Sequence, residues 1–359
     1  MNNKILLAAA AGILAFSACK KDNKTNTGTT TPVEVSSVLK AVGTNVYAAT
    51  YTDLFGKTQQ LRVDIDAFTA APNAMNLEKC RASWKAARSA WEQSESFLFG
   101  PVSTENIDPR IDTWPVDYNA LDSVMSTNKA LTESFVDGLP EGLKGFHPIE
   151  YLLFGLDGQK TAANFTTREK EFLGGLSQNM LKLTQALTTG WDAASNTSYF
   201  NDFTTAGSSG NNIYPTRRQA MVDAITAMAE ICGEVAGGKI KEPFDAQDPS
   251  LEESPFSGNS MIDFTNNING VMNVYQGKYN GVDGIGIEDW MKLNNAQLDG
   301  KIKAAYANAI SALGSVTVKF GQAITSQRVQ LQNAMTAIAA LQTVLEDEAL
   351  PFVKKSINN

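Results

Sequence analysis

Apolar residues recur at intervals of three and four from Val35 onward, and no run alternates apolar and polar residues over the length of a strand. This spacing puts one apolar stripe along each of a series of amphipathic helices. The clearest stripe contains Leu77, Cys80, Trp84, Ala87 and Trp91. The sequence therefore predicts an all-α fold.

Two further stripes support this fold class. One contains Met221, Ile225, Met228, Cys232 and Val235, and we expect its helix to end at Gly237 and Gly238. The other contains Leu331, Met335, Ile338, Leu341 and Leu345. Additional helical patterns cover about 35–69, 167–193, 260–275 and 287–316. Cys80 and Cys232 lie on these stripes without metal-ligand spacing, so both are predicted to be small core residues.

The first 18 residues have the pattern of a secretory signal peptide, with Lys4 before an apolar run that is too short to span a bilayer. The segment "FSAC" resembles a lipoprotein signal-peptidase site, in which Cys19 becomes the lipidated first residue, although Phe16 replaces the usual Leu. A plain signal peptide with a chance cysteine is the alternative. Residues 19–34 are predicted to form a flexible tether. We expect a lipoprotein anchored to the outer membrane of the cell envelope, on its periplasmic or its outer surface.

The roughly 340 residues after the signal peptide exceed what one hydrophobic core usually serves, so two antiparallel helical-bundle domains are expected. A Ser-, Asn- and Gly-rich stretch at 195–212 suggests domains at 35–205 and 206–359. Two long connections, 99–117 and 241–260, contain apolar residues and are candidates for functional loops. The net charge of −8, with no basic stretch beyond Lys20 and Lys21, argues against a nucleic-acid partner.

His147 is the only histidine among 359 residues. Pro148 favours a helix start, which makes His147 the predicted N-cap and Glu150 the third helical residue. In a structural interpretation Glu150 caps the helix and His147 is a loop residue. In a functional interpretation the two side chains, three residues apart, converge as one half of a metal site.

Glu95 is a candidate for the other half of that site. It continues an apolar stripe, where a carboxylate is costly unless it is paired or binds an ion, so a site residue and a buried partner of an arginine are both open. Arg110 and Asp112 precede Trp114, which could hold their loop against the core. An Arg110–Asp112 pair that merely fixes the loop is the alternative.

The segment "GFHPIE" fits the GxHxxE motif of imelysin-like proteins, and "WEQSESFLFGPV", "DPRIDTWPVD" and "ESPFSGNSMIDFTNNINGVMNVYQG" also resemble segments of this family. The resemblance implies two related bundle domains, consistent with duplication, and a site at their junction around Gly145, His147 and Glu150. It also makes Ser254, Ser257 and Asp263 candidates for the ligand pocket. Such proteins are commonly envelope lipoproteins linked to iron acquisition, which implies possible iron-uptake proteins as partners.

Three classes of function remain open from the sequence. One histidine excludes HExxH and HxxEH zinc motifs, and no GxSxG segment frames Ser254 or Ser257, so a metal-dependent or serine peptidase is the weaker hypothesis. One imidazole with several carboxylates suits iron and similar ions. We therefore expect a protein that binds a metal ion, with iron or a small iron-containing ligand as the favoured cargo. A non-enzymatic module that binds a peptide or protein is the third class.

Overall fold

The computed structural model describes residues 32–358, and these residues form helices and loops without a β-strand. The predicted all-α fold is confirmed. The predicted signal peptide, Cys19 and nearly all of the predicted tether lie outside the described residues. Within the described range, no helix is both long enough and apolar enough to cross a membrane.

The 18 α-helices of the described residues are numbered in chain order. The first ten are α1 (Val35–Val42), α2 (Ala49–Ala70), α3 (Ala74–Ser94), α4 (Pro101–Thr104), α5 (Asp108–Asp112), α6 (Tyr118–Ser126), α7 (Glu133–Asp137), α8 (Phe146–Phe154), α9 (Thr167–Gly190) and α10 (Tyr199–Thr204). The remaining eight are α11 (Arg217–Glu234), α12 (Lys241–Ala246), α13 (Ser260–Gln276), α14 (Ile287–Asn294), α15 (Ala296–Gly314), α16 (Phe320–Ser326), α17 (Arg328–Thr343) and α18 (Leu350–Ser356). Residues 32–358 also form three π-helical turns, Gly43–Ala48, Val235–Lys239 and Val344–Ala349.

Helix α3 packs against helices from both halves of the chain. In the first half of the chain it packs against α2 and α8, and α2 also packs against α9. In the second half α11 and α15 pack against α17, while α13 packs against α11, α15 and α3. The α3–α13 contact therefore joins residues from both sides of the predicted boundary at 205, and residues from Val33 onward form one compact unit. The division into 35–205 and 206–359, and the duplication, stay predictions.

The apolar stripes form the core as their spacing predicts. Leu77, Cys80, Trp84, Ala87 and Trp91 are all buried, and Cys80 and Cys232 are unpaired core cysteines. Two helix ends differ from the prediction. Gly237 and Gly238 do not end the helix, because a π-helical turn carries the chain on towards α12. The pattern over 287–316 is interrupted at Asn295, whose side chain accepts a hydrogen bond from the Leu298 N–H and caps α15.

Candidate functional site

The start of α8 is fixed by Gly145, which has a φ of 84°. A Cβ atom at this position would clash with the Ile111 carbonyl group, so only glycine lets α8 approach the backbone of α5 this closely. Gly145 is the N-cap of α8, and the prediction that His147 is the cap was wrong. His147 and Glu150 both lie inside the helix, and this close approach brings His147 next to Asp112.

The His147 ring is fully buried. Its Nε2 atom lies 3.0 Å from Asp112 Oδ1, and its Nδ1 atom lies 3.8 Å from Glu150 Oε2. The Trp114 ring packs against the imidazole, with the ring centroids 5.0 Å apart. Neither ring nitrogen makes a hydrogen bond of normal geometry to any residue in 32–358, and Glu150 Oε2 also lacks a partner there. Buried polar atoms without partners are rare and often mark the place of a water or an ion.

Arg88 on α3 is the central cation of the site. Its guanidinium is fully buried, lies 2.5 Å from Glu92 on the same helix and forms ion pairs with Asp112 and Glu253. A fixed, planar guanidinium suits several carboxylates at once. Asp112 also accepts a hydrogen bond of 2.6 Å from the Trp91 indole N–H. Arg88 therefore orients carboxylates from three separate parts of the chain.

Lys239, in the π-helical turn before α12, is a second buried cation. Its Nζ atom lies 2.7 Å from Glu95, 3.5 Å from both Glu92 and Glu253, and 3.9 Å from Glu234. The Asn267 side-chain N–H₂ group on α13 donates to Glu92 at 2.7 Å and to Glu95 at 2.6 Å. The carboxylates of Glu92 and Glu95 are thus held by groups from the second half of the chain.

The carboxylates and the histidine form two groups whose ligand atoms lie within 4.8 Å of one another. One group contains Asp112, His147 and Glu253, and the other contains Glu92, Glu95 and Asp112. Glu95 is buried, as predicted, but its cationic partner is Lys239 and not an arginine. Within the described residues, no hydrogen bond or ion pair joins Glu95 to His147 or Glu150. Asp112 connects the two groups.

Burial and neighbouring charges shift the pKa values of the site in opposite directions. Burial opposes ionisation of Asp112, but Arg88 and His147 outweigh it and hold the pKa of that carboxyl well below its usual range. Burial alone would lower the pKa of His147, but Asp112 and Glu150 raise it to about 9. Burial, together with repulsion from Glu92, raises the pKa of Glu95 well above its usual range. The site therefore holds protons that an entering cation could displace.

The loop before α13 contacts the helix that carries the histidine. The Ser257 backbone N–H and hydroxyl donate to Glu150 Oε1 at 2.8 and 2.6 Å. Ser254 donates to Asp263 at 2.6 Å, and Asn259 donates to the other oxygen of the same carboxylate at 2.6 Å. Ser257 thus lies beside the histidine site through Glu150, whereas Ser254 and Asp263 form an adjoining buried pair.

Arg110 lies apart from these groups. It forms a 2.5 Å ion pair with Asp137 and not with Asp112, so neither its predicted pocket role nor its predicted pairing with Asp112 is seen in its contacts. Trp114, by contrast, packs against both His147 and Phe256. An opening of about 440 Å³ leads to the site, and its lining includes Trp114, Asp112, Glu95, Glu253 and Lys239.

Comparison with known proteins identifies the family of this chain. The family model described as Imelysin matches residues 47–347. The chain belongs to the imelysin family. It is 30% identical to iron-regulated protein A of Synechococcus elongatus over 351 residues, which cover 97% of this chain and 93% of that relative. The predicted resemblance is confirmed.

Two solved structures of this type share the fold. An iron-regulated protein A precursor from Parabacteroides distasonis superposes with a TM-score of 0.82 at 27% identity, covering 92% of this chain and 97% of that chain. An imelysin-like protein from Psychrobacter arcticum superposes with a TM-score of 0.72 at 13% identity, covering 90% and 98%. The second comparison shows the fold alone.

A serine peptidase built on this imelysin-family chain would need a serine hydroxyl group next to the histidine. A serine nucleophile needs a base within hydrogen-bonding distance, about 2.6–3.2 Å. The hydroxyl groups of Ser254 and Ser257 donate to Asp263 and Glu150, and no serine in the described range hydrogen-bonds to His147. The arrangement can hold a cation between carboxylates and an imidazole more readily than it can activate a hydroxyl group.

Proposed function

We propose that this imelysin-family protein binds a divalent metal ion, with iron the favoured cargo, through His147, Asp112 and Glu253. The observation that carries the proposal is the fully buried imidazole whose two nitrogens lack hydrogen bonds of normal geometry within residues 32–358. Two ligands of one ion lie about 3–4 Å apart when each bond is about 2.0–2.2 Å long. The 3.0 Å between His147 Nε2 and Asp112 Oδ1 fits this range.

Glu150 and Glu95, the other predicted ligands, lie next to this group. Glu150 faces the second imidazole nitrogen and accepts two hydrogen bonds from Ser257. A carboxylate in that position orients a metal-binding histidine and selects its tautomer. Glu95 belongs to the second group, with Glu92 and Asp112. We assign Glu150 the role of a positioning residue.

The balance of charge at the site favours a cation. Arg88 and Lys239 are the arginine and lysine of the site, and the imidazole of His147 adds a third positive charge until it loses its proton. The carboxylates in contact with them or with His147 are more numerous: Glu92, Glu95, Asp112, Glu150, Glu234 and Glu253. Asp108 and Glu242 add further negative charge at the opening. An acidic opening attracts a bare cation and disfavours an anionic chelate.

The ligand set and the relatives support iron as the ion. Imidazole and carboxylate ligands suit iron, although ligand type alone does not select one metal. The relative from Synechococcus elongatus is named iron-regulated protein A.

We propose a role in iron acquisition. In this role the protein is anchored to the outer membrane through lipidated Cys19 and exchanges its ion with iron-uptake proteins. Mass spectrometry of the mature N-terminus tests the anchor, and an unlipidated N-terminus at another residue would contradict it.

The binding proposal is tested by calorimetric titration of the wild-type protein and His147→Gln with Fe²⁺ under anaerobic conditions. We expect wild type to bind one equivalent and to release a proton on binding, because the imidazole must lose its proton. The substitution should weaken binding about 100-fold or more, since it removes a direct ligand. Asp299→Asn is a matched control, because Asp299 is a buried carboxylate that contacts Tyr275 and Lys303 instead of the site. Equal affinity of wild type and His147→Gln would contradict the proposal.

A further inference from the structure

Lys239 places an ammonium group where a metal ion would fit. Glu92, Glu95 and Asp112 each offer an oxygen atom, and these atoms lie within 4.8 Å of one another. The Lys239 Nζ atom lies 2.7 Å from Glu95 and 3.5 Å from Glu92. Two of the three carboxylates are therefore already paired with a cation that belongs to the chain.

Two oxygen atoms at this group are not satisfied by the lysine. Glu92 and Asn267 are fully buried, and Glu92 Oε1 and Asn267 Oδ1 make no hydrogen bond of normal geometry within residues 32–358. Arg88 lies 2.5 Å from Glu92 as an ion-pair partner, but it does not meet that geometry. The Asn267 amide donates to both Glu92 and Glu95, which places it at the same group. Carboxylate and amide oxygens are the ligands that hard divalent cations prefer.

The position of Lys239 allows its ammonium group to leave. It is the last residue of the π-helical turn Val235–Lys239, and a Cβ built on Gly237 or Gly238 would meet open space outside the turn's own backbone. Gly238 and Lys239 line the opening of about 440 Å³. Lysine is a compact charge on a flexible four-carbon stem. The ammonium group can therefore exchange its carboxylate partners for solvent in the opening without unfolding a helix.

We propose that Lys239 is a displaceable internal cation, which fills a second cation subsite formed by Glu92, Glu95 and Asp112 and so limits the protein to one tightly bound metal ion. The inference rests on the proposed function only in that the two subsites share Asp112 and the same opening. The second subsite itself does not include His147. A divalent ion enters it only when the ammonium group has moved into the opening.

The test counts bound Mn²⁺ by the loss of the electron paramagnetic resonance signal of the free ion. We expect one tight and one weak equivalent in wild type, and two tight equivalents in Lys239→Met, which keeps the apolar stem and removes the charge. Lys241→Met is the control, because Lys241 is an exposed neighbour that pairs with Asp245, and it should bind as wild type does. A folded Lys239→Met protein with a single tight equivalent would overturn the inference, even if that ion bound more tightly than in wild type.

Two further variants keep the result decisive. If Lys239→Met does not fold, Lys239→Arg replaces it: the bulkier, multidentate cation should abolish the weak second equivalent, and its retention would overturn the inference. Lys239→Met combined with His147→Gln separates the two proposals, because it should still bind one ion at the second subsite. Binding in this double variant without binding in wild type would sink the proposed function and leave the inference standing. Binding in wild type without binding in the double variant would overturn the inference and leave the proposed function standing.

Discussion

Arg88 and Lys239 pair with two of the same buried carboxylates but are built into the fold in different ways. The Arg88 side chain has no exposed surface, lies within α3 and stacks on the Phe146 ring at 5.1 Å. The Lys239 side chain is 8% exposed and lies in a π-helical turn at the opening. The two cations share Glu92 and Glu253 as partners.

The comparison separates a structural cation from an exchangeable one. Arg88 orients Asp112 and Glu253 from a position that solvent does not reach, so its loss leaves their charges buried without a partner. Lys239 contacts its carboxylates at the edge of the opening, where water or an ion can take its place. The two cations therefore have different roles although they share ion-pair partners. The difference comes from the backbone that holds each side chain.

Replacing each cation by methionine tests the difference between the two roles through the largest expected effect, the change in the free energy of unfolding. We expect Arg88→Met to lower the free energy of unfolding by about 3–5 kcal/mol, because it strands several buried carboxylates. Lys239→Met should cost less, about 1.5–3 kcal/mol, because solvent in the opening replaces the ammonium group. Urea denaturation at neutral pH measures both values.

The exposed pair of Lys241 and Asp245 provides the reference for this series. Lys241→Met should change the free energy of unfolding by no more than about 0.5 kcal/mol, as is usual for a surface ion pair. A loss in Lys239→Met as large as that in Arg88→Met would show that both cations are structural, and the distinction would then be wrong.

The pH dependence of stability tests the part of the site that Arg88 organises, because His147 contacts Asp112, an ion-pair partner of Arg88. The pKa of His147 is about 9 in the folded protein, above the value of about 6.5 expected in the unfolded chain. The folded state therefore binds this proton more tightly. The resulting stabilisation is full below pH 6.5 and is lost as the pH rises through about 9. It amounts to about 3 kcal/mol at most.

This contribution is measured as the difference between wild type and His147→Gln in metal-free buffer, by urea denaturation from pH 6 to pH 9.5. The difference cancels groups that titrate in both proteins, such as Glu252, whose pKa burial raises to about 7. We expect the advantage of wild type to shrink as the pH rises. A difference that does not change with pH would show that His147 stays neutral in the folded protein.

The fold followed from local sequence patterns, with one instructive difference. The stripe from Leu77 to Trp91 is buried because residues at three-and-four spacing share a face of α3. Gly237 and Gly238 suggested a helix end, but the chain widens there into a π-helical turn, a feature that residue propensities do not predict. That turn places Lys239, so the position of the lysine could not be predicted without the turn.

The candidate site could be predicted only in part. His147 and Glu150 share one helix, and Asp112 was identified as a pocket residue, but Arg88, Glu92 and Glu253 were missed. Arg88 lies four residues after Trp84 and four before Glu92, so the same helical spacing that pointed to Glu95 could have indicated it. Glu253 lies in a loop without periodicity, and only the packing of α13 against α3 brings that loop to the site.

The most direct test of metal binding is to locate the ion by anomalous X-ray scattering from crystals of the protein grown with Mn²⁺. We expect one strong anomalous peak within bonding distance, about 2.0–2.3 Å, of a His147 ring nitrogen and of Asp112 and Glu253 oxygens. A crystal of His147→Gln grown under the same conditions should lack that peak. A strong peak elsewhere on the protein with none at His147 would contradict the proposed function. So would an ion near His147 that, at saturating Mn²⁺, contacts the protein only through water molecules.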